Sequence, residues 1–178
     1  MALIVEDGTG VVGAESYVST AEMDDYAAKH GITAWPSGST SAIMTRKEIA
    51  LRRSAQYIDG HYGPEFPGRR GSSVQTLLWP RTGAALADGT PIPENSVPAC
   101  IRNAQYEVAG LAVAGVELTV TTEAGPVLKR KKTDVLEKEW FEGTADRAPV
   151  FGSVDAALSP LFGAETSGII TTAELGRV

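Results

Sequence analysis

Breaker residues constrain this chain more than any other feature. Nineteen glycines and ten prolines fall mostly between short apolar segments, so regular structure must be built in pieces joined by long ordered loops. The pieces are well marked. Ser19 followed by Glu22 makes a capping box, and Gly31 just past His30 favours a left-handed stop, which predicts a helix over Thr20 to His30. Met23, Tyr26 and Ala27 form its apolar face, while Glu22, Asp24 and Asp25 place negative charge near the positive end of the helix dipole. Thr45 with Glu48 makes a second box, opening a helix that Gly60 closes; Leu51, Ala55, Ile58 and Tyr62 line one face, and Arg46, Lys47, Arg52 and Arg53 crowd the others. Pro98 suits the first turn of a third helix, with Ser96 or Val97 just outside it. Ile101, Ala104, Val108, Leu111 and Ala112 then repeat at helical spacing up to Gly115, the strongest core pattern in the chain.

After Gly115 the period changes. Leu118 and Val120 alternate with Glu117 and Thr119, Gly125-Pro126 breaks the chain, and two strands are expected around Lys132-Thr133-Asp134. Ser153 caps a short helix over Val154 to Leu158, which Pro160 ends or extends by a turn. With 178 residues the chain can bury one good core and little more. The expected fold is therefore mainly α with a small β part. It comprises an extended N-terminal segment (1–18), a helical domain of about four helices (19–162) with a loop at 63–95 and a projecting hairpin at 117–141, and a C-terminal arm (163–178).

Several chemistries are absent from the pattern. Gly8-Thr9-Gly10-Val11-Val12-Gly13 matches GxGxxG, but a dinucleotide site needs a helix opening within the glycine run, and here the cap is at Ser19. His30 and His61 lie in no metal or triad spacing, and Cys100, the only cysteine, reads as a small core residue. The carboxylates Asp24-Asp25 and Glu137-Glu139 are of a kind found on any solvated surface. The expectation is a non-enzyme without cofactor or metal. No apolar run approaches a bilayer span and the start is acidic, so the protein is expected in solution, with no membrane partner. The formal charge of −6 and pI near 5.0 argue against a protein whose main task is to coat nucleic acid.

Contact chemistry is concentrated in two places. GRRGSSVQTLLWPRTG, from Gly68 to Gly83, combines Arg69, Arg70 and Arg81 with Trp79, and leads into the turn Asp88-Gly89-Thr90-Pro91. Pro80 restricts Trp79 to extended geometry, which suits a shaped contact loop whose arginines read phosphates or carboxylates. The alternative is that Leu77, Leu78 and Trp79 are an ordinary buried strand and the arginines are solvated. Lys129, Arg130, Lys131 and Lys132 form the second cluster, with Tyr62 and Trp140 as further aromatics available for stacking. Both clusters suit subunit contacts as well as a DNA channel.

Taken in order, VEDGTGVVGAESYVSTAEMDDYAAKHG (Val5 to Gly31), the Gly68 to Gly83 run, IPENSVPACIRNAQYEVAGLAVAG and FGSVDAALSPLF resemble a family of tailed-phage and prophage proteins. Its members carry the label DnaT-like single-stranded-DNA-binding proteins and look like head-to-tail connector (adaptor) proteins. The resemblance covers roughly Val5 to Phe162, and the matched positions Tyr17, Gly68, Arg69, Trp79, Pro80, Arg81 and Pro98 are read as mostly structural. It implies a homo-oligomeric ring, a dodecamer, below the portal protein in the virion, assembled in the host cytoplasm. That ring extends the channel for packaged double-stranded DNA, touches the DNA only transiently, and docks a tail or neck completion protein. By the same analogy the C-terminal arm engages the portal through Ile169 and Ile170. The family's label implies a different role, a replication accessory that binds single-stranded DNA through Arg69, Arg70, Trp79, Arg81 and the Lys129 to Lys132 run.

Overall fold

The computed structural model describes residues 2–118 and 151–162 in full, and residues 132–133 and 136–137 by their backbone. Helix α1 spans Thr20–His30, and both halves of its capping box are formed: the Ser19 hydroxyl accepts from the Glu22 N–H at 3.2 Å, and the Glu22 carboxylate accepts from the Ser19 N–H at 2.7 Å. Gly31 stops it at φ 68°. Met23 and Ala27 face inward as expected, with Tyr26 partly buried.

Helix α2 differs from expectation at both ends, running Ser41–Tyr62. The anticipated cap residues are spent inside it. The Thr45 hydroxyl donates back to the Ser41 carbonyl at 2.9 Å, and the Glu48 carboxylate pairs with Arg52 at 3.3 Å. Gly60 does not stop the helix, because Tyr57, Ile58 and Tyr62 are buried on either side of it. That burial exceeds the cost of an interior glycine, about 1 kcal/mol. Helix α3 spans Ala99–Val113 with Pro98 at its N-cap and Gly115 beyond its end at φ 85°. It is central, buried along most of its length and packed on α2 and α4, with α1 also against it. Helix α4 spans Gly152–Phe162, past the expected end at Leu158, with Pro160 inside. Pro160 has no N–H to give the Ala156 carbonyl, and the Ser159 hydroxyl donates to that carbonyl instead, at 2.9 Å.

Two small antiparallel ladders complete the described structure. Strand β1 (Arg69–Arg70) pairs with β2 (Arg81–Thr82), and β3 (Lys132–Thr133) pairs with β4 (Leu136–Glu137), setting Lys132 opposite Glu137. The second ladder is a hairpin centred where two strands were expected; the rest of 119–141, with Lys129, Arg130, Lys131 and Trp140, lies outside the described residues. So does the 163–178 arm with Ile169 and Ile170. Among the described residues the chain is thus mainly helical, with four α-helices and a small β part.

A buried polar knot joins the helices to the N-terminal segment. Gln105 on α3 has no exposed surface; its amide nitrogen donates to the Ser16 hydroxyl (2.8 Å) and the Leu51 carbonyl (3.0 Å), and its oxygen accepts from the Tyr17 N–H (2.9 Å). Full satisfaction of this kind offsets the desolvation of a buried amide and fixes one register between the segments it ties.

Candidate contact loop and its anchors

The 63–95 region is built around the cis peptide bond between Trp79 and Pro80. Gly68 opens it at φ 71°, and a Cβ there would lie 2.6 Å from the Thr82 carbonyl oxygen and 2.8 Å from the Ala84 nitrogen, so only glycine allows β1 to meet β2. Within the loop, the Gln75 side chain donates to the carbonyls of Leu77 (2.9 Å) and Pro80 (3.0 Å) and accepts from the Ser72 N–H (2.8 Å). The loop is a self-tied unit.

Its contact residues are mostly turned inward, and the burial of Leu77 and Trp79 agrees with the alternative of an ordinary buried segment, although no strand runs through them. Trp79 has no exposed surface and meets Phe66 edge-on at 5.8 Å. Its indole Nε1 donates to no group among the described residues, so it serves as apolar bulk rather than as a polar handle. Arg81 is buried. Its Nε donates to the Pro67 carbonyl and Nη2 to the Gly68 carbonyl, both at 2.7 Å, with a longer bond to Phe66, and its planar fork closes the loop as a five-donor group can. Arg70, although exposed, folds back to donate to the Gln75 carbonyl. Arg69 is exposed and makes no side-chain hydrogen bond or ion pair among the described residues. Of the four loop residues singled out in the sequence, Arg69 alone points outward unengaged. Lys132 is placed only by its strand; Tyr62 is buried and donates to Asp155 at 2.7 Å.

Sequence reasoning missed the pair that fastens this loop to the helices. The Tyr17 hydroxyl donates to Asp59 Oδ1 at 2.5 Å and accepts from the N–H groups of Leu78 (3.1 Å) and Trp79 (3.3 Å), while Asp59 Oδ2 accepts from Leu78 at 3.0 Å. Burial pushes the Asp59 carboxyl up to about 6, against the pull of the Tyr17 and Leu78 bonds and of the nearby Arg70 and Arg81. Burial and the Asp59 charge together raise the Tyr17 phenol well above its usual range.

The GxGxxG segment also has its chemistry taken up internally. The buried Glu6 carboxylate accepts from the N–H groups of Gly8 (2.9 Å), Gly10 (2.9 Å) and Val11 (2.8 Å). These are the amides that would cradle a phosphate, and a carboxylate of the same chain already occupies them. Among the described residues no group of three His, Cys, Asp or Glu is placed to hold a metal, and no helix is long and apolar enough to cross a membrane.

Against known families, the one described as "Putative DnaT-like ssDNA binding protein" matches residues 1–178. The chain belongs to this family. No curated protein and no solved structure shows significant similarity to it. Of the positions that carried the resemblance, Tyr17, Gly68, Trp79, Pro80 and Arg81 lie in the loop junction just described, whereas Arg69 is exposed and Pro98 is the N-cap of α3.

Proposed function

We propose that this chain is a structural subunit of a tailed-phage head-to-tail connector, a ring below the portal that extends the DNA channel and offers a docking surface to a tail or neck protein. The observation that carries the reading is the inward use of Trp79 and Arg81. Trp79 and Arg81, suited to stacking on bases or gripping phosphates, are consumed in holding a loop shape, and a specified loop shape suits a ring component. The acidic balance of the whole chain, at −6, agrees with it. Electron microscopy of lysates from a phage lacking this gene, with DNA replication followed in the same infection, tests the reading. DNA-filled or leaking heads separated from free tails, with normal replication, are expected; failed replication with few particles of any kind overturns it.

A second reading, single-stranded-DNA binding in replication, is favoured by the family's description. It would rest on exposed Arg69, on Arg70, and on the Lys129 to Lys132 run. It predicts oligonucleotide binding that falls steeply with salt and weakens in R69A/R70A.

A further inference from the structure

The N-terminal turn and the tip of the contact loop meet along a seam that leaves apolar side chains in solvent. The Gly13 N–H donates to the Thr76 hydroxyl at 2.7 Å, a Cβ at Gly10 would lie 3.6 Å from Gln75 Cβ, and one at Gly13 would lie 3.8 Å from Ile4 Cδ1. Val12 and Val74, each next to one of these contacting residues, are 68% and 64% exposed, the two most exposed large hydrophobics among the described residues, and Ile4 is 45% exposed. Single exposed hydrophobics are ordinary; three gathered where two segments are tied together mark a contact surface.

Helix α4 ends at the root of the same loop. Phe162, its last residue, stacks on Phe66 with centroids 6.0 Å apart and planes 5° apart. Beyond this stack the loop and residues 163–178 carry matching chemistry at equal intervals. Three residues on are Arg69 and Glu165, opposite in charge, and eight residues on are Val74 and Ile170, with Ile169 beside it. Arg69 is exposed and makes no side-chain hydrogen bond or ion pair among the described residues, so its charge is available. The distance suits as well. Eight extended residues span up to about 26–29 Å, whereas Phe66 meets Trp79 at 5.8 Å and Thr76, on the seam, is three residues and at most about 11 Å from Trp79.

We propose that residues 163–178 dock on this seam of their own chain, with Glu165 set against Arg69 and the Ile169-Ile170 pair covering Val12, Val74 and Ile4. The contact takes an apolar pair and an apolar surface out of water together. The ion pair at the root of the loop fixes register more than it adds affinity. Attachment through α4 selects the arm over other occupants, because a short tether holds it at an effective concentration of about millimolar, where even a weak contact is occupied. Under the connector reading the same isoleucines meet the portal, so portal binding exchanges one apolar contact for another and uncovers the seam only once the subunit has docked. That consequence rests on the connector reading; the contact itself does not.

Oxidative cross-linking of the purified full chain tests this. With Cys100 buried, the double variant V74C/I170C is expected to form a disulfide within one chain, read as a faster-running monomer on a non-reducing gel. Adding I169D is expected to slow the bridge about tenfold, and adding R69E about fivefold, with E165K restoring the rate. The tether is the same in every variant, so the rates report docking rather than chain length. Val74 and Arg69 are exposed, so the variants are expected to melt with wild type. A bridge that forms between two chains at high dilution overturns the contact within one chain in favour of a second copy on the seam. A rate that neither I169D nor R69E changes overturns the docking outright. Both results leave the connector reading in place, because no portal is present in the assay.

Discussion

Replacing Tyr17 by Phe removes one oxygen from the junction that fastens the Trp79-Pro80 loop to α2. The hydroxyl donates to Asp59 at 2.5 Å and accepts from the Leu78 and Trp79 N–H groups at 3.1 and 3.3 Å. Leu78 keeps its second acceptor, Asp59 Oδ2 at 3.0 Å; Trp79 N–H loses the acceptor shown for it in a site with no solvent access. A hydrogen bond to a charged group contributes about 1.5–3 kcal/mol and an orphaned buried donor costs about 1–3 kcal/mol, so the loss is on the order of 3–5 kcal/mol. That is a large fraction of a total stability of roughly 5–15 kcal/mol. The pH dependence has a definite sign. Burial raises Asp59 from 3.8 to about 6 in the folded chain, so its contribution is fully present below 3.8 and is lost as pH rises through 6. The two values differ by about 2 units, equivalent to about 3 kcal/mol. The Tyr17 bond is one of the forces holding that carboxyl down, so Y17F hurts the ionised form more than the protonated one. Urea unfolding of wild type and Y17F near pH 7 and near pH 5 should therefore show a larger difference at the higher pH. A loss below about 1 kcal/mol, or one independent of pH, would refute the reasoning.

Other perturbations probe separate parts of the account. Glu6→Ala strands the Gly8, Gly10 and Val11 amides and is expected to cost about 2–4 kcal/mol, with faster hydrogen exchange at Gly10 and Val11; unchanged exchange would show that the carboxylate does not hold the loop. Arg81→Lys loses the forked donors to Pro67 and Gly68 and is expected to cost about 2 kcal/mol, whereas exposed Arg69→Ala stays within about 0.5 kcal/mol; equal effects in thermal melts would contradict their assignment to inside and outside. Deleting residues 163–178 is expected to leave a folded subunit that fails to bind portal in a pull-down, and undiminished binding would remove Ile169 and Ile170 as the portal contact.

Local signals were legible where the residues involved act on their own neighbours. The Ser19–Glu22 box and Gly31 define α1 to the residue, because capping is decided within one turn. Thr45 and Glu48 show the same pattern and do not cap, because α2 continues through them to Ser41 and their side chains bond within the helix. Gly60 misleads for a related reason: the tertiary burial of Tyr57 and Tyr62 outweighs a local propensity. At the contact loop, Arg81 and Trp79 have the composition of a binding surface, and only contacts distant in sequence reveal their direction. The acceptors of Arg81 are carbonyls at Phe66, Pro67 and Gly68, and the partner that positions the Leu78 and Trp79 amides is Tyr17, from the N-terminal segment. No spacing rule connects Tyr17, Asp59 and Leu78. The GxGxxG run was set aside on context; that the Glu6 carboxylate fills its amide nest is a fact of tertiary geometry that no local spacing shows.

The most direct test of the connector account is to purify complete virions from an infection carrying an epitope-tagged copy of this chain and to measure its copy number and its position by immunogold labelling. The account predicts many copies per particle, with gold confined to the head–tail junction. A chain absent from purified virions but recovered with replicating DNA would contradict it and leave the single-stranded-DNA reading in its place.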